Sequence, residues 1–225
     1  MYSACIFDLD GTLLNTLNSI AYFSNVALED CGYPAIPAAD YRSIVGDGAD
    51  MQLRRMLNRI KGEGNYTEDD FNRLRARYTG LYAERPTYKT EQYPGMPEAL
   101  ALLKQRGVRT AVLSNKPHAW VTAIISGMFP EGTFELCFGQ RAGVPRKPAP
   151  DGALQIARTL GIEPRSFLYI GDTDTDMKTG AAAGMDTCGA LWGFRTRAEL
   201  EKNHAVYLLE KPEEIVRLAA GGREG

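Results

Sequence analysis

Two aspartates one residue apart, Asp8 and Asp10, follow directly on a short apolar run, Ala4-Cys5-Ile6-Phe7, and precede Gly11 and Thr12. A second acidic group, Asp172, Asp174 and Asp176, follows the apolar stretch that ends at Ile170-Gly171. Between them lie Ser114 and Asn115, after another apolar stretch, and Lys147, just ahead of Pro148-Ala149-Pro150. If the apolar stretches are parallel strands, all these groups fall at the carboxyl edge of one sheet, where ligands bind in open α/β folds. Four carboxylates (Asp8, Asp10, Asp172 and Asp176) crowded there repel one another unless a hard cation with oxygen ligands joins them, and Mg²⁺ is the first choice. The chemistry that needs this set is attack by a carboxylate on a phosphate monoester. The cation and a lysine ammonium screen the approach of two anions and hold the charge that builds on the phosphoryl oxygens. A hydroxyl and an amide from Ser114 and Asn115 could donate to the same oxygens. A second carboxyl two residues past the nucleophile could protonate the leaving oxygen and then activate water.

The elements that must position these groups are legible from periodicity. Ala4-Cys5-Ile6-Phe7 reads as a buried strand, and Asp8-Leu9-Asp10-Gly11 forces a loop after it. Residues 16–85 read as helical, best seen where Phe71, Leu74, Tyr78, Leu81 and Tyr82 recur at helical spacing. Thr67 followed by Asp70 predicts a capped start for that helix, and Pro86 stops it. From Tyr93-Pro94-Gly95 onward helices alternate with strands. Helices are expected near 97–106, 117–127, 151–160 and 174–183, and strands at 108–114, 136–138, 167–170 and 187–191. That alternation predicts an α/β fold with a parallel sheet covered on both faces. The expected organisation is a discontinuous core domain, 1–15 and 87–225, with an all-helical domain, 16–86, inserted after the first strand. The tail from about Pro212 is charged and ends in Gly-Gly-Arg-Glu-Gly, so it is expected to fray.

Bulk properties exclude other classes. The 225 residues carry 44% hydrophobic and 24% charged residues and a net charge of -2, a balance typical of soluble globular proteins. Basic residues are scattered rather than striped, which argues against nucleic acid. No apolar run nears the length of a membrane span, and the first apolar run is too short for a signal peptide. Cys5, Cys31, Cys137 and Cys188 form no CxxC pair; free buried thiols in a reducing, cytoplasmic setting are expected. Monomer and homodimer are equally open.

The motif set resembles the haloacid dehalogenase (HAD) superfamily. Asp8-Leu9-Asp10-Gly11-Thr12-Leu13 is similar to its first motif, Leu113-Ser114-Asn115-Lys116-Pro117 to its second, Arg146-Lys147-Pro148-Ala149-Pro150 to its third, and Ile170-Gly171-Asp172-Thr173-Asp174-Thr175-Asp176 to its acidic fourth. The four appear in order across nearly the whole chain, nearest to the phosphoglycolate phosphatase-like branch. The resemblance implies a Rossmann-like core with the helical insertion as a cap that closes over the site. It implies Asp8 as nucleophile and metal ligand, and Asp10 as general acid/base that also binds metal through its main-chain carbonyl. Thr12 and Ser114 would contact phosphate, Lys147 would stabilise its charge, and Asp172 would bind Mg²⁺. Asp176 would serve as a ligand or as support.

Other residues carry plainer expectations. Asp174 reads as a solvated turn residue, His118 as surface helix, and Trp192-Gly193-Phe194-Arg195 as packing at the sheet's end. Gly46-Asp47-Gly48 is either a simple turn or a loop whose N–H groups meet an anionic substrate. Arg42, Arg54 and Arg55 flank it and are candidates to pair with a substrate carboxylate. A small phosphorylated metabolite is the expected partner, with 2-phosphoglycolate the first candidate; a neutral polyol or sugar phosphate stays open because Asp47, if it points inward, would repel a carboxylate. Two other functions compete. A phosphosugar mutase shares the motifs, though related mutases often carry an aliphatic residue where Thr12 stands. A Mg²⁺-binding phospho-acceptor signalling module fits poorly with Asp10, the helical insertion and the length.

Overall fold

The structure, a computed structural model, describes residues 1–221. Its centre is a six-stranded, all-parallel sheet. The strands are β1 (Ala4–Phe7), β4 (Arg109–Pro117), β5 (Leu136–Gln140), β6 (Phe167–Gly171), β7 (Asp186–Ala190) and β8 (Tyr207–Leu209). Their spatial order is β5-β4-β1-β6-β7-β8. Numbered among themselves along the chain, these six strands run 3-2-1-4-5-6, the doubly wound order in which the winding reverses beside the first strand. The reversal lies between β1 and β6, which pair in register from Ala4 with Phe167 to Phe7 with Ile170. A separate two-residue antiparallel pair, β2 (Leu14–Asn15) with β3 (Glu91–Gln92), closes the stem from which the helical segment departs.

Strands form where they do because both faces of the sheet are covered. Every residue of β1 and β6 is buried. On one face Ala4, Ile6, Ala111, Leu113, Phe167 and Tyr169 pack with Ala153, Ile156, Ala157 and Leu160 of α7 (Asp151–Leu160). The remaining core helices are α5 (Met96–Gln105), α6 (His118–Met128), α8 (Asp174–Ala182), α9 (Arg197–Lys202) and α10 (Glu213–Gly221). Where α8 meets the sheet, a Cβ on Gly180 would collide with Thr187 and Tyr169, so glycine sets how near the helix lies.

The chain divides into two compact units, residues 1–15 with 91–225, and residues 16–90. The regular elements of the second unit are all helices. It holds α1 (Leu17–Asp30), α2 (Tyr41–Ile44), α3 (Ala49–Lys61) and α4 (Glu68–Glu84), with no strand in it. Phe23 of α1 meets Tyr82 of α4 with ring centroids 5.2 Å apart, and Phe71, Leu74, Tyr78 and Tyr82 form the buried stripe of α4; Leu81 is only half-buried.

Several elements depart from the sequence expectations, the short pair β2 and β3 among them. Strand β8 and helix α9 lack strong periodicity and were not anticipated. The tail from Pro212 does not fray within the described residues. Ile215, Val216 and Ala219 of α10 are buried, and the Tyr2 N–H donates to the Ala219 carbonyl at 2.9 Å. The apolar stripe of α10 outweighs its charged composition. Gly-Arg-Glu-Gly, 222–225, lies outside the described residues.

The start of α4 carries a full capping box: the Thr67 hydroxyl accepts from the Asp70 N–H, and the Asp70 carboxylate accepts from the Thr67 N–H. Thr67→Ala is expected to cost about 1 kcal/mol of local stability. Hydrogen exchange should report this as faster exchange in the first turn of α4; unchanged rates there would refute it.

Candidate active site

The loop after β1 is built by its own hydrogen bonds. The Asp8 N–H donates to the Ile170 carbonyl at 2.9 Å and continues the β1–β6 ladder one step past the strand. The Leu13 and Leu14 N–H groups both return to the Leu9 carbonyl, and the Gly11 N–H donates to Leu14 O at 2.8 Å. Gly11 sits at φ +88, a conformation that favours glycine, and any Cβ there would strike the Asp172 carboxylate. The turn therefore brings Asp8 beside the end of β6, at the point where the sheet reverses.

Asp8, Asp172 and Asp176 converge there. Each offers a carboxylate oxygen within 4.8 Å of the others, and all three are buried. Asp8 is 6% exposed, and Asp172 and Asp176 are fully buried. Lys147 stands between two of them, its Nζ 2.8 Å from Asp8 Oδ1 and 2.6 Å from Asp176 Oδ1. Burial opposes the charge of Lys147, but Asp176 and Asp8 outweigh it and hold the ammonium well above its ordinary range. Asp10 lies at the edge and is bound through both oxygens by Lys116 Nζ, at 2.9 and 3.0 Å. Four aspartates face two lysines, which leaves two negative charges when all are ionised. One divalent cation matches that surplus, and three close carboxylate oxygens suit a hard one.

Without such a cation the cluster resists ionisation. Burial pushes the Asp8 carboxyl up to about 7, the neighbouring Asp176 adds to the rise, and Lys147 opposes it. Asp172 is raised well above the usual carboxylate range, again chiefly by burial, with Asp176 and Asp8 adding to it.

A second layer of contacts fixes the orientation of these groups. Asn115 clasps the main chain of Lys147, its Oδ1 accepting from Lys147 N–H at 2.9 Å and its Nδ2 donating to Lys147 O at 3.1 Å. Asp176 caps α8 through the Thr173 N–H and hydroxyl, so one oxygen is used by the helix and the other by Lys147. Asp172 accepts the Thr12 hydroxyl at 3.1 Å on Oδ1 and the Phe194 N–H at 2.8 Å on Oδ2. A Cβ on Gly193 would collide with Asp172 and with the Gly11 carbonyl, and a Cβ on Gly171 would collide with Asp176. Trp192 Nε1 donates to Thr12 O at 3.0 Å. The register of β4 against β5 shifts between Leu113 and Pro117, an irregularity of the kind that re-aims side chains beside functional sites. Ser114, Asn115 and Lys116 occupy that stretch, all buried. Ser114 Oγ accepts from the Lys116 N–H at 3.2 Å, which leaves its own proton to donate.

Of the expected residues, Asp8, Asp172, Asp176 and Lys147 meet in one place, and Asp10 is held by Lys116. The Thr12 hydroxyl bonds to Asp172, and the Asn115 amide bonds to the Lys147 main chain. Segment 192–194 is more than packing, because it orients Asp172. Lys116, quoted in the second motif without a role, is a buried partner of Asp10; its only sequence signal was a lysine adjoining Ser114 and Asn115. Asp174, half-buried in the first turn of α8, pairs with the exposed Lys178, and His118 begins α6 and accepts the Gly139 N–H at 3.3 Å. Gly46 belongs to the helical unit, in the turn between α2 and α3, with φ +122. In that unit Arg55 is held by Asp47 and the Ile44 carbonyl, and Arg54 pairs with Glu68 at 2.9 Å and lies over the Phe71 ring. The four cysteines are free, and no helix among the described residues is long and apolar enough to cross a membrane.

Comparison with known proteins gives concordant matches. The family model described as haloacid dehalogenase-like hydrolase matches residues 5–190. The phosphoglycolate phosphatase of Aquifex aeolicus is 31% identical over 213 residues, covering 95% of this chain and 94% of that protein. That of Mannheimia succiniciproducens is 27% identical, covering 94% and 96%. A solved structure of a provisionally named phosphoglycolate phosphatase from Lactobacillus delbrueckii subsp. bulgaricus superposes with TM-score 0.91 at 30% identity, covering 98% of this chain and 99% of that one. A predicted phosphoglycolate phosphatase from Haemophilus somnus superposes with TM-score 0.89 at 26% identity, covering 96% and 97%.

Two outcomes follow from this geometry. Gly193→Ala should displace Asp172, cost about 1–3 kcal/mol through overpacking, and abolish cation binding; wild-type cation affinity by calorimetry would contradict the clamp. The folded-state pKa of Asp8 lies above its unfolded value of 3.8, so folding takes up a proton between about pH 4 and pH 7. Stability should therefore fall as pH rises through that window in a chelator. A melting temperature that climbs steadily over the same range in EDTA would contradict the burial of Asp8 and Asp172 as unsupported carboxyls.

Proposed function

The chain belongs to the haloacid dehalogenase-like hydrolase family, and from that premise we propose that it is a Mg²⁺-dependent phosphatase acting on a small phosphate monoester through a phosphorylated Asp8. The observation that carries this reading is Asp8 itself, buried at the sheet's reversal, bonded to Lys147 and grouped with Asp172 and Asp176. The residues suited to hold the cation are Asp8 and Asp172 by their side chains and Asp10 by its carbonyl, with Asp176 as a further ligand or as support. Bound there, Mg²⁺ supplies positive charge that keeps Asp8 ionised and offsets the repulsion between nucleophile and phosphate.

The protein groups do the rest. Asp8 attacks phosphorus, forming one P–O bond as the ester P–O bond breaks. Asp10 gives its proton to the departing oxygen. Lys147 and the Ser114 hydroxyl donate to the phosphoryl oxygens, while Thr12 and Asn115 hold Asp172 and Lys147 in place. Asp10 then takes a proton from water, the water oxygen attacks phosphorus, and the bond to Asp8 breaks to release phosphate. The helical unit acts in this proposal as a cap that excludes water, and its Gly46-Asp47-Gly48 turn takes part in substrate choice. The substrate proposed first is 2-phosphoglycolate, in keeping with the names of the relatives.

Asp8→Asn keeps the shape and removes the nucleophilic charge. Phosphate release should drop by at least about 10⁴-fold while the far-ultraviolet circular dichroism is retained. A rate near wild type would require another nucleophile. Chelation should abolish turnover and added Mg²⁺ restore it; full activity after exhaustive chelation would remove the cation from the proposal.

A further inference from the structure

We propose that Lys116 is a specificity-determining residue that recognises an anionic head group on the leaving alcohol, and so selects esters of short hydroxy acids over neutral ones. This deepens the phosphatase reading and rests on it. The inference starts from the Asp10 contact. Lys116 is 7% exposed, and its Nζ lies 2.9 and 3.0 Å from the two carboxylate oxygens of Asp10.

An acid that protonates the leaving oxygen must come within about 2.6–3.2 Å of it. The leaving oxygen therefore lies within about 6 Å of the Lys116 ammonium, from the sum of two hydrogen-bond lengths. In a two-carbon hydroxy acid the carboxylate is separated from the ester oxygen by one methylene. That separation puts the carboxylate within range of the ammonium. Lys147, the other buried lysine, is placed differently, between Asp8 and Asp176 on the nucleophile's side of the phosphoryl group.

The arginines first considered for this task offer less, since Arg54 and Arg55 are bound to Glu68 and Asp47 within the helical unit. Lys116 is instead carried by the bulged end of β4, on the rigid core that also holds the nucleophile.

The test compares 2-phosphoglycolate with its neutral isostere, 2-hydroxyethyl phosphate, each with Mg²⁺. Wild type should favour phosphoglycolate in kcat/KM by about a hundredfold, the scale of one buried charge pair. Lys116→Gln and Lys116→Met should bring that ratio close to one, with most of the loss on phosphoglycolate. Equal losses on both esters would mean that Lys116 only positions Asp10, and would overturn the inference. A wild-type ratio near one overturns it without any variant, even if both variants fail to fold. No phosphate release from either ester by wild type would instead overturn the phosphatase reading, and this inference with it.

Discussion

The constraint on which the structure depends is the enclosure of like charges. Asp8, Asp172 and Asp176 are buried with carboxylate oxygens within 4.8 Å of one another. Isolated buried carboxylates of this kind are strongly unfavourable, and they persist only when paired, hydrogen-bonded or joined by a cation. Lys147 answers part of the charge, while burial, with Asp176 adding to it, still pushes the Asp8 carboxyl up to about 7. In the proposed mechanism the nucleophile has to be ionised, so the burial that raises Asp8 is what a bound cation would have to offset.

Much of the surrounding sequence serves that balance. Asn115 spends both ends of its amide on the Lys147 main chain, and Thr12 spends its hydroxyl on Asp172. Gly11 and Gly193 leave room for the Asp172 carboxylate from two sides, and Gly171 does the same for Asp176. The sheet supplies the frame. Its reversal between β1 and β6 places one acidic loop against the other, while β4 on the far side of β1 brings Ser114, Asn115 and Lys116 to the same edge. Side chains held by a shell of this kind lose little freedom when substrate arrives, which favours precise positioning of the reacting atoms.

The core fold was legible because its signals are local. A four-residue apolar run followed by acidic residues and glycine marks β1 and its loop, and alternation of helices and strands marks the parallel sheet. The groups that carry charge were legible because few roles suit an aspartate or lysine in a buried loop. What escaped sequence reasoning depends on distant partners. The Asn115 and Thr12 side chains bond to the Lys147 main chain and to Asp172, partners far away in the chain. The part played by Phe194 rests on a main-chain N–H, which leaves no mark in residue type, and that of Gly193 on its nearness to Asp172, a residue distant in sequence. Helix α10 looked like a fraying tail because its charges are conspicuous and its three buried residues are not.

The central claim is that the electrostatic balance around Asp8 exists to make it a nucleophile. The most direct measurement is mass spectrometry of the enzyme acid-quenched during turnover of 2-phosphoglycolate with Mg²⁺, followed by peptide mapping. The account predicts phosphate on the peptide that contains Asp8, absent when Mg²⁺ is withheld. Turnover with no phosphate on Asp8 at any quench time, together with inversion of configuration at a chiral phosphorus, would contradict it.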